Sequence, residues 1–128
     1  MAQPSSRAIV AAGALLGASA VSLGAFGAHA LGGMLTAQQA RWWQTAVQYQ
    51  MWHALALLLV ATLDLPHSRM IGAIFFSGTL IFSSTLFLMA LGLPLWLGAL
   101  TPIGGLMMIV GWLLLAWTAL RPGDRSRH

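Results

Sequence analysis

Four long apolar stretches follow one another along the chain, joined by short connectors, and little polar sequence remains from which to build a water-facing surface. Charged residues make up 6% of the sequence, with no Lys and no Glu, and mean hydropathy is +0.81. A soluble domain surrounds its core with charged side chains, and this chain does not have them. The sequence therefore predicts an all-α polytopic membrane protein, a four-transmembrane-helix bundle with short loops. The hydrocarbon core takes about 20 residues per helix, so four spans occupy the 128 residues as a single domain. With no Cys, disulfides, thiolate chemistry and Cys-based metal sites drop out of consideration.

Helix boundaries follow from local signals. Helix one is predicted over about residues 8–31, closed by Gly32-Gly33. Thr36 and Gln39 have the spacing of a capping box and open helix two, about 37–63. A turn at Asp64-Leu-Pro-His-Ser68, with Ser68 as the cap, leads to helix three, about 69–91. Thr101-Pro102 reads as a cap followed by Pro at the first helical position, opening helix four, about 102–120; the alternative is an earlier start with a kink at Pro102. Gly13, Gly17, Ala20, Gly24 and Ala28 line one side of helix one, where a neighbouring backbone can come close. Gly104, Gly105 and Gly111 suggest the same for helix four. Ala28-His29-Ala30 also matches a signal-peptide cleavage pattern, but the apolar run is longer than an h-region, so helix one is expected to be retained.

Net charge is +4, from six Arg against Asp64 and Asp124. The Arg sit at the ends of apolar runs, as topology determinants and head-group contacts, which argues against nucleic acid as a partner. Arg7, Arg69, Arg121, Arg125 and Arg127 fall on one side of a four-span layout and Arg41 alone on the other. The positive-inside rule then puts both termini in the cytoplasm.

Helix two is the least lipid-like span. Gln44, Gln48 and Trp52, with Thr45, Tyr49 and His53, occupy about half its circumference. Trp43, Val47, Met51, Ala54 and Leu58 lie opposite, with Gln50 near their edge. Amides without partners are costly in lipid, so the polar face is expected to look into the bundle or water. His29, Gln44, Gln48, Tyr49, His53, Ser77 and Thr101 are the candidate polar core. It serves either as interhelical hydrogen bonding or as a proton, quinone or solute site. No intramembrane acid accompanies the two His, which argues against a proton pump. A zinc site needs about four ligands, and the two His lie at different expected depths, which disfavours haem. No cofactor or metal is expected, and the seven Met read as packing residues.

Four blocks stand in a familiar order: Gly24-Ala-Phe-Gly-Ala-His-Ala-Leu31, Thr45-Ala-Val-Gln-Tyr-Gln-Met-Trp-His-Ala-Leu-Ala-Leu57, Phe76-Ser-Gly-Thr-Leu80, and Leu100-Thr-Pro-Ile-Gly-Gly-Leu106 with Gly111-Trp112. Together they resemble the small four-helix inner-membrane family known as domain of unknown function 423, related to the eukaryotic transmembrane protein 256. The resemblance implies no activity. It marks His29, Gln48, Tyr49, Gln50, His53, Ser77, Gly78, Thr101, Pro102 and Gly104-Gly105 as positions of the family pattern, and it implies a retained first helix.

No nucleophile–base pair or metal set stands out. The leading expectation is therefore a non-enzymatic accessory, assembly or scaffold subunit in the bilayer, packing against a membrane-protein partner or as a homo-oligomer. A small oligomeric channel or transporter lined by the Gln/His face of helix two is the alternative, and a quinone-binding or enzymatic role comes last.

Overall fold

The computed structural model describes residues 4–123. Asp124, Arg125 and Arg127, which entered the charge reading, lie outside the described residues. Four long helices run in sequence: α1 (Pro4–His29), α2 (Ala37–Thr62), α3 (Ser68–Ala90) and α4 (Thr101–Leu120), with a 3-10 helix at Leu95–Ala99. Three helical stretches are long and apolar enough to cross a membrane: Ser6–His29, Ser68–Ala90 and Leu95–Leu120. Helix α2 matches them in length with its 26 residues, but Arg41 and its Gln residues lower its hydropathy.

Helix α2 starts on a complete capping box. The Thr36 hydroxyl accepts from the Gln39 amide at 3.1 Å, and the Gln39 side chain accepts from the Thr36 N–H at 2.9 Å. The other two expected caps differ. His67, in the left-handed region at φ 63°, precedes α3, and the Ser68 hydroxyl donates back to the Leu65 carbonyl instead of capping the helix. Helix α4 begins at Thr101 itself, because the 3-10 helix feeds it through Leu100 in a helical conformation. The Thr101 hydroxyl is then free to meet Thr85 across the α3–α4 boundary, at 2.7 Å.

Each helix packs on its neighbour in sequence, and α3 also touches α1 near one end. The expected bundle is open rather than closed, since α4 packs on α3 and the 3-10 helix and makes no close backbone contact with α1 or α2. Lipid tails are as apolar as Leu, so no hydrophobic force draws α4 around to complete a ring. Its attachment comes instead from close approach at glycines. A Cβ on Gly104 would lie 2.5 Å from the Phe82 nitrogen and 2.6 Å from the Gly78 oxygen, and one on Gly111 would lie 2.7 Å from the Phe75 ring.

Two apolar clusters form the core. One groups Ile9, Leu16, Ala54, Leu57, Ile71 and Phe75, and the other groups Trp43, Ala46, Leu86, Phe87 and Ala90. Along α2, the stretch between them contains Gln50 and His53, so a polar layer separates two apolar ones.

Candidate functional site

The polar layer is built on the face of α2 that α1 and α3 enclose. Trp43, Ala46, Gln50, His53, Leu57 and Val60 are buried there, at helical spacing. Arg41, Gln44, Gln48, Trp52, Leu55 and Leu59 recur at spacings of three and four and form an exposed stripe on the outer side. This corrects the expected polar face. Gln44 and Gln48 do not enter the bundle, and Gln50, assigned to the edge of the apolar face, does.

The cause lies on α1. Its glycines seat against the face of α2 opposite the expected polar one: Gly13 on the Ala54 carbonyl and Leu58, Gly24 on Val47, and Gly27 on the Trp43 indole. That docking brings Gln50 rather than Gln48 to α1. The Gln50 amide nitrogen donates to the Leu16 carbonyl at 3.1 Å and to the Ser19 hydroxyl. The Trp43 indole N–H donates to the Leu23 carbonyl at 2.9 Å. From α3, the buried Ser83 hydroxyl donates to the Ala46 carbonyl, also at 2.9 Å.

His53 is 4% exposed and lies in an aromatic enclosure. Its ring stacks on Tyr49, with a centroid separation of 6.2 Å and 12° between planes. Phe75 and Trp112 meet it edge-on at 5.5 and 5.9 Å. Nδ1 lies 2.8 Å from the Tyr49 carbonyl, and the Trp112 indole N–H donates to Nε2 at 3.1 Å. A neutral imidazole carrying its proton on Nδ1 satisfies both contacts. Trp112 thus ties α4 to α2, two helices whose backbones do not meet, and it occupies the lone pair that a metal or substrate proton would use.

The other candidates are dispersed. His29 is exposed at the end of α1 and takes no part in the polar layer. Because α1 and α2 run antiparallel, it lies near the start of α2, whereas His53 lies about 24 Å further along that helix. Ser77 is half-buried, and Thr101 joins Thr85 at the far end of α3. Among the glycines, Gly13, Gly24, Gly104 and Gly111 are at tight contacts, whereas Gly17 and Gly105 have ordinary room, with nearest neighbours 3.8 Å from an added Cβ. Gly27 and Gly78 make close contacts that the stripe on α1 and the glycines of α4 did not include. Their signal was present as small residues facing Trp43 and Gly104, but pairing a glycine with its partner needs the helix docking.

Among the described residues no group of three His, Asp or Glu side chains comes together, and no buried side-chain nitrogen or oxygen lacks a hydrogen bond. The layer is a satisfied network of helix-to-helix bonds. Its polar atoms hold α1, α3 and α4 onto α2.

Comparison with known proteins places this geometry in a family. Residues 23–105 match the family described as protein of unknown function (DUF423). A UPF0382 membrane protein of Staphylococcus haemolyticus is 40% identical over 112 residues, covering 80% of this chain and 87% of the relative. One from Staphylococcus epidermidis is 39% identical over 118 residues, covering 85% and 92%. One from Staphylococcus aureus strain USA300 is 43% identical over 106 residues, covering 80% and 87%. No solved structure matches the chain. The chain belongs to the DUF423 family of membrane proteins.

Proposed function

We propose that this member of the family is a non-enzymatic membrane subunit that packs through the outer face of α2 against another membrane protein, a second copy included. One observation carries the reading. Gln44 and Gln48 are exposed on that face and, among the described residues, make no side-chain hydrogen bond, although every buried polar side chain described there is satisfied. On this reading α2 is the fourth span. It is about 39 Å long at 1.5 Å per residue, and only short connectors join it to two membrane-length helices. Gln44 then sits about 10 Å and Gln48 about 16 Å from the start of α2, so Gln48 lies within the hydrocarbon. An amide there costs several kcal/mol without a partner and is stabilised by an interhelical bond. The Arg distribution further supports an inner-membrane orientation with both termini in the cytoplasm.

The test is purification of the tagged chain from native membranes in mild detergent, followed by native mass spectrometry. The wild type should carry a stoichiometric membrane-protein partner or a second copy. Gln44→Leu/Gln48→Leu should release it while the monomer keeps its thermal stability. A wild-type monomer, or a double variant that retains its partner, would overturn the reading. A channel reading requires α2 side chains along a wet path. It receives no support from His53, whose two ring nitrogens are both engaged.

A further inference from the structure

We propose that the end of the bundle carrying the α2–α3 loop holds one phospholipid with a zwitterionic, primary-amine head group, phosphatidylethanolamine in chemical class. The site has two adjoining parts. The first is a groove of about 350 Å³ where α1 and α3 both lean on α2 and leave a crevice between them. Ile9, Ala12, Leu57, Gly72, Ala73 and Phe76 line it, and Arg69 stands at its end. Ala8, Ala12, Gly72 and Ala73 put little side-chain volume into its walls, and Gly72 itself packs closely against Ile9. An apolar crevice facing lipid forfeits dispersion contacts unless something fills it, and an acyl chain has the right shape and chemistry.

The second part is a hollow of about 210 Å³ where Ser6, Asp64, His67, Ser68 and again Arg69 supply the polar lining beside three apolar residues of α2 and its loop. Arg69 therefore marks the boundary between an apolar groove and a polar hollow, so an occupant of both is an amphiphile. Arg69 gives the hollow a cation and Asp64 gives it an anion. A guanidinium pairs with a phosphate through parallel N–H donors. The Asp64 carboxylate accepts hydrogen bonds from a primary ammonium, which a choline group cannot donate. A glycerol head group would leave Asp64 beside a net negative ligand. Arg121, across Asp64 in the neighbouring hollow, stacks on Trp117 at 4.5 Å from the ring centroid, so it already has a partner. Opposite charges sharing one hollow match a phosphate and an ammonium on the same head group.

Delipidated full-length protein in detergent, offered ethanolamine, choline and glycerol phospholipids with identical acyl chains, tests this by native mass spectrometry. The wild type should retain the ethanolamine lipid severalfold over the other two. Asp64→Asn should bring it down to the choline level, and Asn tolerates the left-handed backbone at this position, φ 45°. Arg69→Gln should lose all three lipids. Ala73→Trp, at an exposed position on the groove wall, should also exclude all three while circular dichroism stays unchanged. Equal retention of the three lipids by the wild type, or preference for the glycerol lipid, overturns the proposal. So does retention unaffected by Asp64→Asn or Arg69→Gln.

Discussion

Neighbouring glycines on α4 should respond to the same substitution with opposite sign. At Gly104 a methyl group would lie 2.5 Å from the Phe82 nitrogen, 2.6 Å from the Gly78 oxygen and 2.9 Å from the Phe82 Cβ. Two of these atoms belong to the facing backbone, which cannot rotate away, so α3 and α4 must separate. Overpacking typically costs about 1–3 kcal/mol, and a clash with backbone belongs at the upper end. Replacing Gly by Ala inside a helix returns about 1 kcal/mol. Gly104→Ala should therefore destabilise the fold by a net ~2 kcal/mol. At Gly105 the nearest atoms to an added Cβ are the Phe82 ring carbons, 3.8 and 3.9 Å away. That is ordinary van der Waals contact, so Gly105→Ala should keep the helix-propensity gain and stabilise by up to ~1 kcal/mol. Unfolding in mixed micelles by SDS titration, followed by circular dichroism, measures both. Equal stabilities for the two variants, or a Gly104→Ala protein as stable as wild type, would refute the close-approach account of how α4 is attached.

Trp112→Phe keeps an aromatic ring beside Phe75 but removes the donor to His53 Nε2, and the same titration should show a loss of about 1–2 kcal/mol; an unchanged midpoint would show that the bond contributes nothing. Gln50→Leu should cost about 1 kcal/mol for its bonds to Leu16 and Ser19, whereas Gln48→Leu should stay within about 0.5 kcal/mol in the monomer. Equal losses from the two would contradict the assignment of inner and outer faces. A Cys introduced at Gln38, in this Cys-free chain, should react with an impermeant thiol reagent from outside the cell; labelling from the cytoplasmic side alone would reverse the proposed topology. The intact mass of the membrane-extracted protein should include α1, because cleavage after Ala30 would strip Gln50 and Trp43 of the carbonyls they donate to, and a mass lacking residues 1–30 would refute this.

Hydropathy and local signals carried the sequence a long way. Apolar runs of membrane length set the number and order of the helices, because the cost of exposing backbone in lipid leaves few alternatives. Thr36 and Gln39 specified the start of α2 within a residue, since a capping box is a contact between near neighbours in sequence. The same logic predicts caps at Thr101 and Ser68. The structure uses both hydroxyls elsewhere, because the residues before them already take up turn or 3-10 geometry.

Rotation about the helix axes was beyond the sequence. Polar residues cover two arcs of α2, and the wheel alone gives no reason to turn Gln50 inward and Gln48 outward. That choice is made by Gly13, Gly24 and Gly27 of α1, which let the two backbones close up on Trp43, Val47 and Ala54. It is a contact between residues 16 to 41 positions apart, with no trace in local periodicity. The same holds for His53. Its place on a polar helix was legible, but its partner is an indole 59 residues further along, on a helix whose backbone never approaches α2. Composition decides that a chain meets lipid because every residue contributes to transfer free energy independently. Docking decides which polar side chains meet each other, because a hydrogen bond depends on two positions at once and on the small residues that let them come within reach.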